Sequence, residues 1–245
     1  MPLSSEIGSG DDKCGAVRPL TRHDVDAHAA MIEVETSAEL AGILDPSVNL
    51  CVWRRPERTE ITALASRVAG SLGSRSRFVF ERDDGAMYQA VTDFLPAAAW
   101  DVDRRAASAW RDDVLSICEV FADCVEAAAA MVVLEGPSEA TCPRFHVDRV
   151  GIRMLVTYSG PGTEWLEESD VDRRWLGAAG HGLPDDQNGV LRDGAKIRSL
   201  APFSVALFKG EAWPGAERRG VVHRSPDPCG APRVLLRVDA LSPDE

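Results

Sequence analysis

The chain has 245 residues, of which 44% are hydrophobic and 27% charged, and its formal net charge is −12. This composition is ordinary for a globular protein, and the length allows one large domain or two small ones. The acidic balance argues against a nucleic-acid or anionic-membrane binder, since both need clustered positive charge. No apolar run approaches the roughly 18 residues that cross a bilayer, and the N-terminus lacks a signal-peptide pattern. We expect a cytoplasmic protein whose partner is neither nucleic acid nor membrane.

The N-terminal half is expected to be a support region. Residues 1–16 are rich in Ser, Gly and Asp and are predicted to be disordered. Residues 17–130 carry mixed α/β and helical signals. The expected elements are short helical faces between Asp24 and Leu44, a strand at Val48–Trp53, a helix at Thr59–Leu72 with Thr59 as N-cap, a strand at Arg77–Glu81 and a weak helix at Tyr88–Phe94.

The clearest helical pattern runs from Asp101 to Met131. Apolar residues recur there at spacings of three and four, at Trp110, Val114, Ile117, Phe121, Cys124 and Val125. One apolar stripe of this kind predicts a scaffold helix packed on a sheet. The six cysteines of the chain form no Cys-x-x-Cys pair, which argues against a zinc ribbon.

Strand signals dominate from Met131 onward. They are the segments MVVLEG, RFHVD, IRMLVTY, FSVALFK, GVVH and RVLLRVD, separated by turns rich in Gly, Pro and Asp. Several short strands in succession predict a β-barrel or a double-sheet jelly roll over residues 131–245. The expected fold class is therefore α+β, with the N-terminal half packed as helical support on the barrel and continuous with it in one domain.

A histidine and an aspartate stand two residues apart in the segment RFHVD. Residues i and i+2 of a strand point to the same face, so His146 and Asp148 are expected to converge. A carboxylate beside an imidazole suits Fe(II), whose facial triad needs one more histidine. His223 closes the strand-like segment GVVH and supplies it. Three ligands on one face leave positions for a bidentate 2-oxo acid and for dioxygen.

A basic residue follows the distal histidine by ten positions. Arg233 opens the segment RVLLRVD, and its guanidinium suits the far carboxylate of a 2-oxo acid better than an ammonium does. Arg237 shares the same strand face and competes for this role.

This ordered set resembles the iron(II)- and 2-oxoglutarate-dependent dioxygenase superfamily, whose fold is a double-stranded β-helix of the cupin type. The resemblance implies that His146, Asp148 and His223 hold iron and that Arg233 anchors 2-oxoglutarate, with Tyr158 assisting. A closer resemblance is to a bacterial family of unknown function, marked by CPRFHVDR and TYSGPGTEW.

The resemblance implies a hydroxylase-type oxygenase acting on a small metabolite, an amino acid or a peptide. Position alone suggests four substrate contacts, at Arg153, Thr163, Trp165 and Trp213. The alternative is a zinc-binding protein of metal homeostasis or hydrolysis, in which the thiolate of Cys142 joins or replaces one ligand of the same site. A β-domain without any metal is the third hypothesis. His23, His28 and His181 are expected not to be ligands.

Overall fold

The computed structural model describes residues 30–72, 76–82, 86–136 and 142–241. The tail predicted to be disordered lies outside these ranges, as do His23 and His28. None of the helices within them is long and apolar enough to cross a membrane.

The described residues form two sheets and a layer of helices. In chain order the elements are β1 (Ala30–Val34), β2 (Val48–Trp53), α1 (Thr59–Val68), β3 (Ser76–Glu81), α2 (Met87–Phe94), α3 (Ala97–Val102), α4 (Arg104–Val125), β4 (Ala129–Glu135), β5 (Ile152–Ser159), β6 (Glu164–Trp165), β7 (Arg198–Ser199), β8 (Val205–Lys209), β9 (His223–Arg224) and β10 (Val234–Ala240). Short 3₁₀ turns lie between β1 and β2, after α1, and between β6 and β7.

The larger sheet has seven strands in the order β1-β2-β8-β5-β10-β4-β3. Its neighbouring strands are antiparallel except for the parallel pair β1 and β2. The smaller sheet has the order β7-β6-β9, and an isolated bridge between His146 and His223 adds one more position beside β9.

From β4 onward the chain alternates between the two sheets. β4, β5, β8 and β10 lie side by side in the large sheet, whereas the His146 bridge, β6, β7 and β9 belong to the small one. This alternation of antiparallel strands between two sheets is the topology of a double-stranded β-helix, a form of jelly roll. The predicted fold class, α+β with such a barrel, is confirmed.

The two faces of the large sheet carry different groups. Alternate residues of β5, such as Met154, Val156 and Tyr158, belong to the main core with the helices, where Trp110 and Phe121 of α4 are fully buried. Burying one such large apolar side chain stabilises the fold by about 1.5–3 kcal/mol. The other face packs on the small sheet through the cluster of Leu50, Val52, Leu155, Trp165, Leu200, Ala206, Phe208, Val221 and Leu235. Residues that share this second face point into the barrel.

The small sheet is covered on its outer side by the segment between β6 and β7. Phe145 and Val222 pack there against Leu166, Val171 and Val190. Arg224 also connects this segment to the small sheet. Its guanidinium lies 4.3 Å from the ring centre of Phe145 and pairs with Asp185 at 2.8 Å. The helices, the two sheets and this segment therefore make four layers.

Several sequence expectations differ from the structure. The long helix begins at Arg104, where Asp103 caps it by accepting from the amides of Arg105 and Ala106. It ends at Val125, because Glu126 has a left-handed backbone (φ 51°) that stops the helix before β4. The expected cap at Thr59 is wrong: Arg58 holds the N-cap position of α1, with no side-chain cap.

The N-terminal half is more than a helical support. β1, β2 and β3 come from it and extend the large sheet at both edges. The strand at Val48–Trp53 has the predicted bounds. The division of the chain into regions 17–130 and 131–245 stays a prediction.

Candidate metal centre

The first part of the site is the backbone pair of His146 and His223. The amide of each donates to the carbonyl of the other at 3.0 Å. Directly opposed residues of an antiparallel pair place their side chains on the same side. The two imidazole rings accordingly lie together, with their centres 4.6 Å apart.

Asp148 approaches this pair from a loop rather than from a strand. The expectation that RFHVD forms a strand is wrong, since only His146 makes a bridge in this segment. The Asp148 carbonyl accepts from the amide of Glu211 at 2.8 Å. A Cβ on Gly210 would stand 2.1 Å from the carbonyl oxygen of Val150 and 2.8 Å from that of Asp148, so only glycine fits where the loop crosses the end of β8.

The three side chains form one compact group of possible ligands. Nε2 of His223 lies 3.3 Å from Oδ2 of Asp148, and Nε2 of His146 lies 3.8 Å from Oδ1. One ligand atom from each residue falls within 4.8 Å of the others. Asp148 and His223 are buried, whereas the side chain of His146 is 30% exposed.

The hydrogen bonds of the two rings fix where their protons lie. Nδ1 of His223 is 3.0 Å from the Val221 carbonyl, and Nδ1 of His146 is 2.9 Å from the Arg144 carbonyl. A carbonyl only accepts, so each Nδ1 carries a proton, and in the neutral ring each Nε2 then presents a lone pair. Burial lowers the pKa of His223 to about 4, which keeps this ring neutral.

The arrangement fits a bound cation. Oδ2 of Asp148 is buried without a hydrogen-bond partner among the described residues. Two imidazole lone pairs and this carboxylate oxygen face one another with no proton between them, a costly arrangement unless a positive charge lies there. Two nitrogens and one carboxylate oxygen are the donors of a facial triad. The second contact of each ring, through Nδ1, is typical of histidines that bind metals.

Arg153 of β5 contacts the carboxylate of Asp148. It lies opposite Asp239 in the pairing of β5 with β10. Its Nη1 donates to Oδ1 of Asp148, and its Nε and Nη2 donate to the two oxygens of Asp239 at 2.6 and 3.1 Å. The role of Arg153 as a substrate contact stays a prediction, while three of its N–H groups are directed at these two carboxylates.

Arg233 is a second buried cation on the barrel side. Its Nη2 donates to Oγ1 of Thr163 at 2.9 Å, its Nε to the Pro161 carbonyl at 2.9 Å, and its Nη1 to Oγ of Ser225 at 3.4 Å. The residue is 2% exposed, and none of its contacts with the described residues is to a carboxylate. Burial lowers the pKa of Arg233 to about 10.

Arg233 and the metal group are joined through β9. Ser225 follows His223 by two positions, and two residues of extended chain span roughly 7 Å. Thr163 lies opposite Ser225 when the pairing of β6 and β9 is continued by one position. The two hydroxyls and the guanidinium therefore meet on the same side of the small sheet as the ring of His223.

Tyr158 lies on the other side of the large sheet. It is fully buried among the core residues of the helical face, and its hydroxyl donates to Oδ2 of Asp113 at 2.7 Å. Arg55 pairs with the same carboxylate at 2.7 Å. Burial and the negative charge of Asp113 raise the pKa of Tyr158. Its predicted contact with a co-substrate is therefore wrong.

The two tryptophans predicted to contact substrate pack in different hydrophobic clusters. Trp165 is buried in the cluster between the sheets, with the guanidinium of Arg198 5.5 Å from its ring centre. Trp213 packs instead on the main core, 5.4 Å from Nζ of Lys209. The prediction for Trp213 is wrong, because the core it packs on lies on the opposite face of the large sheet from the barrel interior.

Cys142 does not join the ligand group. The possible ligands that come together within the described ranges are His146, Asp148 and His223, without a cysteine. Cys142 is exposed, and partial burial with the negative charge of Asp148 raises the pKa of its thiol. His181 is likewise outside the group, in a turn beside Trp175.

Sequence reasoning missed Ser225 and Asp239. Asp239 was detectable, because it alternates with Arg237 and Arg233 along one face of a strand. Ser225 could have been found in the same way, two positions after His223.

Phe208 packs against His223, with ring centres 5.0 Å apart.

Three solved structures of other proteins are similar to this chain over most of its length. A dioxygenase for auxin oxidation from rice is 16% identical, with a TM-score of 0.45 over 87% of this chain and 83% of that one. A 2-oxoglutarate complex of dioxygenase for auxin oxidation 1 from Arabidopsis thaliana is 12% identical, with a TM-score of 0.44 over 87% and 92%. A putative 2OG-Fe(II) oxygenase family protein from Caulobacter crescentus is 13% identical, with a TM-score of 0.42 over 86% of each.

Sequence comparison gives a family without an assigned reaction. No curated protein matches the sequence significantly. A family model described as a protein of unknown function, DUF1826, matches residues 35–239. The sequence motifs expected to mark such a family stay predictions. With most of its length matched, the chain belongs to the DUF1826 family.

Proposed function

We propose that this chain is an Fe(II)- and 2-oxoglutarate-dependent oxygenase of the hydroxylase type. Its substrate is a small metabolite, an amino acid or a peptide. The observation that carries the proposal is the pairing of two features inside one barrel. A group of three metal-ligand side chains lies beside a buried arginine whose described contacts include no carboxylate.

The buried guanidinium of Arg233 is the specific support for a dicarboxylate co-substrate. The charge of Glu135 opposes the burial of this guanidinium without offsetting it, and a carboxylate bound directly to a desolvated cation relieves the remaining cost. The hydroxyls of Thr163 and Ser225 already contact this guanidinium and can donate to the same carboxylate. A short dicarboxylate held by Arg233 would reach toward the ligand group, because Ser225 follows His223 by two positions, a span of roughly 7 Å along the extended chain.

The side chains have distinct roles in this proposal. His146, Asp148 and His223 would hold the metal, and the Nδ1 protons on the carbonyls of Arg144 and Val221 keep both Nε2 atoms free to bind. Fe(II) and 2-oxoglutarate, when bound, supply the reaction with dioxygen, in which 2-oxoglutarate becomes succinate and carbon dioxide and a substrate C–H becomes C–OH. Arg233 orients the co-substrate, and Phe208 helps to keep water from the buried ring of His223.

Zinc chemistry at the same three residues is the second hypothesis. Its sequence support was Cys142, and the structure leaves that thiol out of the ligand group. The remaining donors, two imidazoles and one carboxylate, serve Fe(II) as a facial triad and zinc as a three-ligand site. The co-substrate therefore separates the two hypotheses, since a zinc hydrolase has no use for 2-oxoglutarate at Arg233.

An anaerobic titration with Fe(II) and 2-oxoglutarate tests the proposal by visible spectroscopy. We expect a metal-to-ligand charge-transfer band in the wild type and its loss in Arg233→Ala. Arg192→Ala is the matched control, because Arg192 is an arginine of the outer segment whose Nε donates to the Val171 carbonyl at 2.7 Å. A wild type that binds Fe(II) but shows no band would refute the co-substrate and leave only a metal site.

Substrate class is tested with the loaded enzyme. Succinate formation is measured with pools of amino acids, short peptides and small metabolites, and with single-stranded DNA as the nucleic-acid comparison. We expect stimulation by a small-molecule or peptide pool, because the net charge of −12 opposes a nucleic acid. Stimulation by DNA alone would contradict this part of the proposal.

A further inference from the structure

Five charged side chains of alternating sign run across the barrel face of the large sheet. They are, in order, Glu135 of β4, Arg237 and Asp239 of β10, Arg153 of β5 and the metal-site residue Asp148, and we refer to them as the ion-pair chain. Nη1 of Arg237 is 3.4 Å from Glu135 and its Nε 3.0 Å from Asp239. The side chains of Glu135, Asp239 and Asp148 are 4%, 5% and 9% exposed.

Strand pairing builds this chain. Arg153 and Asp239 are directly opposed in the pairing of β5 with β10, a position at which opposite charges attract across the strands. Arg237 and Asp239 are alternate residues of β10 and share its barrel face. Only the last member, Asp148, lies outside the sheet, in the loop before β5.

The two carboxylate oxygens of Asp148 differ in their contacts, because Arg153 donates to only one of them. Its Nη1 donates to Oδ1, whereas Oδ2 is buried without a hydrogen-bond partner among the described residues and lies 3.3 Å from Nε2 of His223. The Arg153 fork cannot turn, because its Nε and Nη2 are held by both oxygens of Asp239. A planar guanidinium fixed at two points presents its third donor in one direction only.

We propose that Arg153, anchored by Asp239, is a positioning residue that reserves Oδ1 of Asp148 and leaves Oδ2 as the single carboxylate donor for the metal. A one-oxygen carboxylate with two imidazoles leaves the remaining positions of an octahedral metal open. If Oδ1 were released, the carboxylate could bind through both oxygens and close one of these positions. This inference rests on the metal site of the proposed function but not on its co-substrate.

The test replaces the guanidinium of Arg153 while keeping its positive charge. Arg153→Lys retains one positive charge near Asp148 and Asp239, but its ammonium cannot hold both carboxylates in a fixed plane. Asp239→Asn is the second variant, which leaves Arg153 and Asp148 in place and removes the charge of the anchor. Each variant is titrated with Co(II) under anaerobic conditions, and the d–d absorption bands report the number of ligands.

The matched control is the buried pair of Arg55 and Asp113. It is also a two-point contact, made through Nη1 and Nη2 of Arg55 at 2.7 and 3.1 Å, and Asp113 accepts from the Tyr158 hydroxyl on the helical face of the large sheet. Arg55→Lys should lower the thermal stability of the protein without changing the Co(II) affinity or spectrum. Circular dichroism of each metal-free variant verifies that it is folded.

We expect Arg153→Lys to weaken Co(II) binding about 10- to 100-fold, the usual effect of losing a partner behind a metal ligand. The d–d spectrum should also shift, and Asp239→Asn should change the affinity and spectrum in the same direction. Wild-type affinity and spectrum in both variants would overturn the inference, even if 2-oxoglutarate binds at Arg233. Absence of Co(II) binding to the wild type would overturn this inference and the proposed function together.

Discussion

Nε2 of His223 and Oδ2 of Asp148 lie 3.3 Å apart with no proton between them. The proton of the ring is on Nδ1, facing the Val221 carbonyl. Two buried acceptors at this distance repel each other unless a cation joins them. This contact therefore marks the position that a bound cation would occupy.

Replacement of the buried ligand should abolish metal binding. In His223→Gln we expect at least a 100-fold loss of Mn(II) affinity, because a ligand nitrogen is removed from the centre of the group. His181→Asn is the control, since His181 is exposed, lies outside the group and has the left-handed backbone that asparagine tolerates. Titration calorimetry measures both variants. Equal affinities in the two would mean that the site lies elsewhere.

Metal should stabilise the fold. At a free Mn(II) concentration 100 times the dissociation constant, a ligand that binds only the folded state adds about 2.7 kcal/mol. For a chain of this size we expect Tm to rise by about 5–10 °C. Mn(II) is preferred to zinc because it has little affinity for the cysteines of the unfolded chain. Differential scanning calorimetry checks the shift, which should be absent in His223→Gln.

Tyr158→Phe should affect stability and leave the site unchanged. The variant loses the hydrogen bond to Asp113, while Arg55 continues to pair with that carboxylate. A hydrogen bond to a charged group contributes about 1.5–3 kcal/mol, so urea denaturation should give a loss at the lower end of this range. The affinity for 2-oxoglutarate should equal that of the wild type. A selective loss of 2-oxoglutarate binding would restore the role that Tyr158 was expected to have.

The thiols should differ in their rates of alkylation at pH 8. Burial raises the pKa of Cys51 and of Cys124 to about 11 and that of Cys118 further, and only a thiolate reacts. Among the five thiols of the described residues, we expect Cys229 to react first, Cys142 more slowly because its pKa is also raised, and Cys51, Cys118 and Cys124 only on unfolding. Iodoacetamide labelling read peptide by peptide by mass spectrometry gives the order.

The same labelling separates iron from zinc–thiolate chemistry. Because the thiol of Cys142 is not in the ligand group, added Zn(II) should leave its alkylation rate unchanged. Cys229 serves as the internal reference, since it is exposed and lies outside the ligand group. Protection of Cys142 alone by stoichiometric Zn(II) would favour the zinc hypothesis.

The sequence was sufficient to predict the ligand group but for a partly wrong reason. His146 and Asp148 were expected to converge by strand alternation, whereas a loop pinned to Glu211 and Gly210 brings Asp148 into place. The order of the strand signals did predict the barrel, because alternating apolar residues and turn residues are local properties. A contact that depends on a loop crossing a distant strand end leaves no periodic signal.

The error at Tyr158 follows from the alternation of faces along β5. Arg153 and Tyr158 are five residues apart on this strand and must point to opposite sides, whereas Trp213 lies in a turn, where no alternation applies. The covering segment between β6 and β7 could not be predicted, since it consists of short 3₁₀ turns and side-chain contacts without periodicity. Its ion pairs, such as that of Arg224 with Asp185, depend on the folded barrel.

The ion-pair chain constrains how this protein can change over time. An interior member such as Asp239 has an arginine on each side, so its loss leaves two like charges together in a buried place. A single substitution there is harmful, while a paired one that removes or reverses a neighbour is tolerated. We expect relatives of this chain to keep or lose Arg153 and Asp239 together. The charges of two paired strands, β5 and β10, would then constrain which residues can surround Asp148.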